Sequence, residues 1–143
     1  MTSAGPPGPS RVAIAADVDI VTARREGRDL AEQLGCSATD STLIATAISE
    51  IARNIMSHAG RGEIAISAVA IDGRSAIEVV ATDEGPGIPD VERAMQDGYS
   101  TGSGLGLGLP GARRLMDHFE VHSEVGVGTT VVMRKWCPPG PNA

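Results

Sequence analysis

Glu50, Asn54 and His58 stand at positions i, i+4 and i+8 of the stretch SEIARNIMSHA, so a helix would stack them along one line. At about 100° per residue, Leu43, Ile44, Ala47, Ile48, Ile51 and Ile55 fall on one arc of that helix. Asn54 falls inside the arc and Glu50 at its edge. A buried amide beside a carboxylate needs partners. If this face borders a cleft, Asn54 can offer its carbonyl oxygen to a hard cation such as Mg²⁺, and Glu50 can orient or deprotonate a hydroxyl. Backbone groups can satisfy the same pair, and helix geometry alone does not separate the two readings. Arg53 lies on the outer side and reads as a solvated arginine within reach of Glu50 or a phosphate. His58 reads as a helix-end residue rather than a catalyst.

Two glycine segments supply further chemistry. In ATDEGPGIPD, Asp83 ends an apolar run and is followed at once by Gly85 and Gly87. An ionised Asp only accepts hydrogen bonds, which suits the amino group of adenine, and the glycines let backbone approach a flat base. Taken alone, the segment reads more readily as a tight turn with no ligand. In GYSTGSGLGLGLPGARRLM, Gly102, Gly104, Gly106 and Gly108 alternate with Ser103, Leu105 and Leu107. Such alternation frees several N–H groups to point at one anion, and a helix from about Leu109, with Pro110 in its first turn, adds its N-terminal dipole. A flexible linker has a similar composition but does not run straight into an amphipathic helix. No GK[ST] follows the glycines, so this is not a Walker A loop, and no strand immediately precedes them as a Rossmann fingerprint requires. Near the end Gly128–Thr129 opens a strand, from which Thr129 can reach a base through a water shared with Asp83.

The elements that must position these residues follow from pattern. Arg11 to Ala16 reads as a strand, and Asp17 or Asp19 can cap a helix running to Gly35. Thr39 or Asp40 starts the second helix, which ends near Ala59–Gly60. Glu63–Ile71 and Ala76–Thr82 flank Asp72–Gly73 as a hairpin of open turn type. A short helix over Pro89–Asp97, the loop Gly98–Gly108 and a helix to about Asp117 come next. Phe119–Glu124 and Thr129–Trp136 form a last hairpin. The order β-α-α-β-β-α-loop-α-β-β predicts a two-layer α/β sandwich, a mixed sheet with helices on one face. The domain spans residues 11–136, with disordered tails at 1–10 and 137–143, both rich in Pro and Gly.

Composition narrows the partners. The 143 residues fit one domain, and a hydrophobic fraction of 41% can build a core. Aromatics are only 2%, which leaves Ile, Val, Leu, Ala and Met for the interior and argues against a stacking platform for single strands. A net charge of −6 with no basic run argues against nucleic acid and anionic lipid. No apolar run reaches membrane-spanning length, and the first ten residues lack a signal-peptide pattern. Cys36 and Cys137 form no CxxC pair and no Cys/His cluster, which argues against zinc. Two thiols suit a reduced cytosolic protein, so a cytoplasmic location is expected.

A helical Glu…Asn, then Asp-x-Gly-x-Gly, then GLGLG, then Gly-Thr, in that order, resembles the GHKL ATPases, which include gyrase B, MutL and the ATP-binding domains of histidine kinases. The strings DIVTARREGRDLAEQLG, TAISEIARNI, DEGPGIPD, DGYSTGSGLGLGLPGARRLMD and GTTVVMRKW resemble, within that superfamily, the RsbT-type serine switch kinases of bacterial partner switching. The resemblance covers about Arg11 to Trp136 and implies the Bergerat ATP-binding fold.

It further implies a serine/threonine kinase using ATP (or holding ADP) and Mg²⁺. The position matching Glu50 is then the general base, Asn54 holds Mg²⁺, Asp83 binds the adenine amino group and the glycine lid embraces the phosphates. The implied partners are a STAS-domain antagonist as phosphoacceptor and a PP2C-type phosphatase activated by binding, with no nucleic acid and no membrane. Two rivals share the ATP site: an RsbW-type anti-sigma factor that sequesters a sigma subunit, and a docking protein that holds nucleotide without turnover. GLPGARRLMD favours the switch kinase over the first, and intact Glu50 and Asn54 count against the second.

Overall fold

The computed structural model describes residues 9–96 and 108–137. The chain begins with strand β1 (Ser10–Ile14), followed by helices α1 (Asp17–Leu34) and α2 (Ala38–His58). Ala16, not Asp17 or Asp19, is the cap residue of α1. Asp19 instead reaches back from the third helical position, and its Oδ2 accepts from the N–H groups of Ala15 and Ala16, both at 2.9 Å. The helix closes on Gly35, whose φ of 91° is the left-handed cap foreseen there. α2 starts slightly earlier than Thr39, because Ser37 supplies the cap: its Oγ accepts from Asp40 N–H.

Strands β2 (Gly62–Ile71) and β3 (Arg74–Asp83) pair antiparallel, with Ile71 opposite Arg74. That leaves Asp72 and Gly73 as a two-residue turn, with φ of 52° and 79°. Two positive φ values in succession define the type I′ turn that Asp-Gly favours. Helix α3 (Val91–Ala94) is a single turn capped by Asp90, much shorter than the Pro89–Asp97 helix expected. Helix α4 (Gly108–Leu115) then leads to β4 (His118–Glu124) and β5 (Gly128–Trp136).

The five strands lie in the order β1-β2-β3-β5-β4. The two-layer α/β sandwich is present. Two helices separate β1 from β2, so the chain returns reversed and the pair is antiparallel. β3 and β4 run the same way, but β5 is inserted between them. The parallel component of the sheet therefore falls on strands that are not neighbours, and every described ladder is antiparallel.

Alternation along the strands separates the two faces. Ile64, Ile66, Ile77, Val79, Ala81, Val131 and Met133 are buried under the helices. The other face carries the pairs Arg11–Glu63 and Arg134–Glu78, and a Glu120 carboxylate bonded to both His118 and His122. Those two imidazoles, His118 first, hold Glu120 below its ordinary carboxylate value. α2 lies between α1 and α4. It therefore buries more than the single arc drawn from sequence: Ser41, Ala45, Ser49 and Ala52 are buried as well.

At both ends the fold includes one residue beyond the bounds read from sequence. Ser10 pairs with Ile66 in β1. Cys137 is 1% exposed, and its N–H donates to Ser75 O at 2.9 Å. The expectation of two free thiols is overturned, because Cys36 and Cys137 are disulfide-bonded. The topology brings the α1–α2 junction and the end of β5 together across 101 residues of sequence, a proximity that spacing could not reveal. Among the described residues no helix is long and apolar enough to cross a membrane.

Candidate functional site

The elements converge on one end of the molecule. The C-terminal turns of α2 carry Asn54 and His58, and the N-terminus of α4 begins at Gly108. The end of β3 carries Asp83, and Thr129 at the start of β5 is its register partner. A cavity of about 300 Å³ is lined by Asn54 and His58 on one side, Gly87 to Asp90 on another, and Gly108 to Pro110. A second cavity of about 470 Å³ lies on the other side of Asn54. It is lined by Glu50, Arg53 and residues of α1 including Asp17, Val21 and Arg24. Asn54 and Gly108 border both, so the two open on either side of one helix face.

Glu50 is buried, at 8% exposure. Its Oε2 accepts from Arg53 at 3.2 Å, so Arg53, although half exposed to solvent, is also a partner of Glu50. Asn54 is half-buried and makes no hydrogen bond among the described residues. An amide pointed into a cavity without a protein partner is suited to a ligand or metal.

Asp83 is 9% exposed, and its Oδ1 accepts from Gly85 N–H at 2.9 Å. Its second carboxylate oxygen has no partner among the described residues. Asp83 does not line the cavity of Asn54; it borders a separate depression with Ala59, Arg61, Gly62 and Glu84. The segment after it is packed closely. A Cβ at Gly85 would lie 2.6 Å from the Cβ of Ala59, the cap of α2. At Gly87, with φ of 80°, it would lie 2.5 Å from Glu124 O. Only glycine meets both demands at Gly87. Gly126 N–H donates to Pro86 O at 2.9 Å, so the β4–β5 turn braces this segment from behind.

Thr129 is buried, and its hydroxyl bonds Ser123 Oγ at 2.9 Å. Ser123 also accepts from Ile88 N–H at 2.7 Å. The Thr129 hydroxyl therefore joins this segment through Ser123, while its backbone is paired opposite Asp83 in the β3–β5 ladder. Ser123 was not singled out from the sequence. Its signal was a polar residue ending the inward stripe Phe119, Val121, Ser123, which pairs with Met133, Val131 and Thr129. Asp90, which caps α3, and Arg24, on the wall of the larger cavity, carried no comparable signal. Gly102, Ser103, Gly104, Leu105, Gly106 and Leu107 lie outside the described residues. Gly108 is described, and it places the N-terminus of α4 at both cavities.

The arrangement offers an amide without a partner among the described residues, a buried carboxylate held by an arginine, and the N-terminal dipole of α4 beside both. These are groups for binding an anionic ligand with a metal and for accepting a proton. Residues 14–135 match the histidine kinase-like ATPase domain family. The chain is 50% identical over 127 residues to the serine/threonine-protein kinase RsbT of Bacillus subtilis, covering 89% of this chain and 96% of that protein. It is also 39% identical to an anti-sigma F factor of Caldanaerobacter subterraneus, over 74% of this chain and 77% of that protein. The anti-sigma F factor of Geobacillus stearothermophilus is 36% identical, with 72% and 74% covered. The chain belongs to the histidine kinase-like ATPase domain family, in the branch that contains the RsbT kinase and the anti-sigma F factors.

Proposed function

We propose that this chain is a cytoplasmic, ATP- and Mg²⁺-dependent protein serine/threonine kinase of a bacterial partner-switching stress pathway. Its single ATP-binding kinase domain spans residues 11–136, extended at its two ends by Ser10 and Cys137. Its phosphoacceptor is a serine or threonine of a STAS-domain antagonist, and in its free state it activates a PP2C-type phosphatase by binding. The observation that carries the reading is the placement of Glu50 and Asn54 one helical turn apart on α2. Both face cavities beside the α4 N-terminus, in a chain 50% identical to the RsbT kinase.

The residues fit a magnesium ion held mainly by its substrate. Among the described residues no group of three or more His, Cys, Asp or Glu side chains is placed to hold a metal. Mg²⁺ on a nucleotide needs only one or two protein oxygens and keeps its waters. Asn54, with no competing partner among the described residues, would supply one. When bound, the ion would offset charge on the phosphates during transfer.

The chain's own groups then divide the work. Glu50 accepts the proton of the attacking hydroxyl through the oxygen that Arg53 leaves free. The larger cavity, walled by α1, is the route by which that hydroxyl reaches Glu50. Asp83 accepts from the adenine amino group, with Gly85, Gly87 and Thr129 shaping its surroundings. The amides of the lid from Gly102 to Gly108, spaced by Ser103, Leu105 and Leu107, follow the charge on the migrating phosphoryl group.

The test is to mix purified protein with γ-labelled Mg-ATP and the STAS-domain proteins of its own genome. Transfer to a serine or threonine, lost in Asn54→Ala, supports the kinase. Tight ATP binding without transfer removes it. The anti-sigma F relatives favour one second reading, sequestration of a sigma factor from the same ATP site, and co-purification of a sigma subunit would support that instead.

A further inference from the structure

We propose that Cys36 and Cys137 are a redox-modification site, a thiol pair that small disulfides of the glutathione class convert into a removable staple. The pair sits at the end of the domain opposite the cavities. Cys36 joins α1 to the start of α2, and Cys137 follows the last residue of β5. Asn54 and Thr129 lie at the other ends of those same two elements. The bond therefore ties the central helix to a central strand without touching the candidate site.

Three observations make the pair reversible rather than a fixture of folding. First, each cysteine is held in place by its own backbone. Cys36 N–H donates to Ala31 O at 3.0 Å in the cap of α1, and Cys137 N–H donates to Ser75 O at 2.9 Å beside β3. Their Cα atoms are 4.8 Å apart, inside the range a disulfide spans. These backbone bonds do not depend on the sulfurs, so the thiols stay within reach after reduction. Second, the core does not need the bond. Ile14, Ile44, Ile48, Ile51, Ile55, Ile64, Ile66 and Ile77 are fully buried around α2, in a domain large enough to fold on its core. Third, exposure is unequal. Cys36 is half-buried and Cys137 only 1% exposed, so an outside reagent meets Cys36 first.

The exchange balances in two steps. The Cys36 thiol attacks oxidised glutathione, forming a mixed disulfide and releasing one glutathione thiol. The Cys137 thiol then attacks the Cys36 sulfur and releases the second. Two protein thiols are oxidised, one small disulfide is reduced to two thiols, and no proton is gained or lost overall. The closed loop removes conformations from the unfolded chain, so oxidation raises the melting temperature. The chain holds only these two cysteines, so no third thiol can divert the exchange.

The experiment compares the full chain equilibrated with oxidised glutathione and with a dithiol reductant, by intact mass under denaturing conditions and by melting. The oxidised protein should be lighter by two hydrogen atoms, yield a Cys36–Cys137 linked peptide, and melt on the order of 10 °C higher. Adding reductant should return the lower midpoint, and Cys36→Ser should melt like the reduced wild type under both conditions. Reduced wild type alkylated at Cys36 provides the same control without a substitution. Equal midpoints in the two states, a shift that persists in Cys36→Ser, or a glutathione adduct that never resolves to the internal bond would each overturn the proposal.

Discussion

The segment from Asp83 to Asp90 and the last turns of α2 line the same end of the molecule, but they hold their polar groups differently. In the first, polar groups are engaged within the protein: Gly85 N–H on Asp83, Ile88 N–H on Ser123, Gly126 N–H on Pro86 O and Arg93 N–H on Asp90. On α2, Asn54 has no partner among the described residues, and Glu50 has Arg53 alone. Apart from the second carboxylate oxygen of Asp83, the first region is shaped before any ligand arrives. The second keeps groups in reserve. Such a division lets a nucleotide base meet a finished surface, while the groups that move charge and protons are completed by what binds.

If that division is right, substitutions on α2 should strike chemistry and spare the fold. Asn54→Ala should reduce phosphoryl transfer below detection while the melting point moves by no more than about 2 °C, since the amide makes no hydrogen bond among the described residues. A large loss of stability instead would place Asn54 among the structural groups. Glu50→Gln should slow transfer by about 10²- to 10⁴-fold at unchanged ATP affinity, because it removes a proton acceptor and keeps the shape. Parallel losses in rate and affinity would mean that Glu50 belongs to binding.

Asp83→Asn probes the opposite side. Asn can still accept from Gly85, but the charged acceptor is lost, so ATP affinity measured by calorimetry should fall by about tenfold to a hundredfold. Affinity unchanged by the substitution would remove Asp83 from the base site. That outcome would agree with its bordering a depression separate from the cavity of Asn54. Gly87→Ala should act through shape. Its Cβ would meet Glu124 O at 2.5 Å from a backbone with φ of 80°, so unfolding in denaturant should register a loss of about 1–3 kcal/mol. A neutral result would mean that the β4–β5 turn yields, and that this region is softer than its hydrogen bonds suggest.

The same contrast explains what could be read in advance. The α2 face was legible because a 3.6-residue period puts Asn54 among isoleucines, an anomaly visible in a linear string. The turn at Asp72–Gly73, though not its I′ type, and the cap at Gly35 were legible because their residues have local reasons to be there. Ser123 was not, since its role depends on a cross-strand neighbour, Thr129, and on a loop more than thirty residues away in sequence. The Arg53–Glu50 pair is not fixed by sequence, because i, i+3 spacing permits a contact without requiring it. The cysteine bridge and the inserted position of β5 are properties of topology, which residue spacing does not encode.

Ser123→Ala is the mildest test and the one that isolates the bracing of the Asp83 segment. The hydroxyl accepts from Ile88 N–H at 2.7 Å and bonds the buried Thr129 hydroxyl at 2.9 Å. It also lies 3.3 Å from Gly128 O, so removing it leaves three groups to find other partners, at a cost of about 1–2 kcal/mol in stability. No group on α2 bonds Ser123, so the rate of transfer at saturating ATP should stay within about twofold. ATP affinity should weaken only a few-fold, about 1 kcal/mol or less, as the segment loses one of its anchors. A substantial fall in turnover at saturating ATP would show the two regions to be coupled through the β4–β5 hairpin. The shaped region would then act on the reserve groups of α2 as well as on the nucleotide.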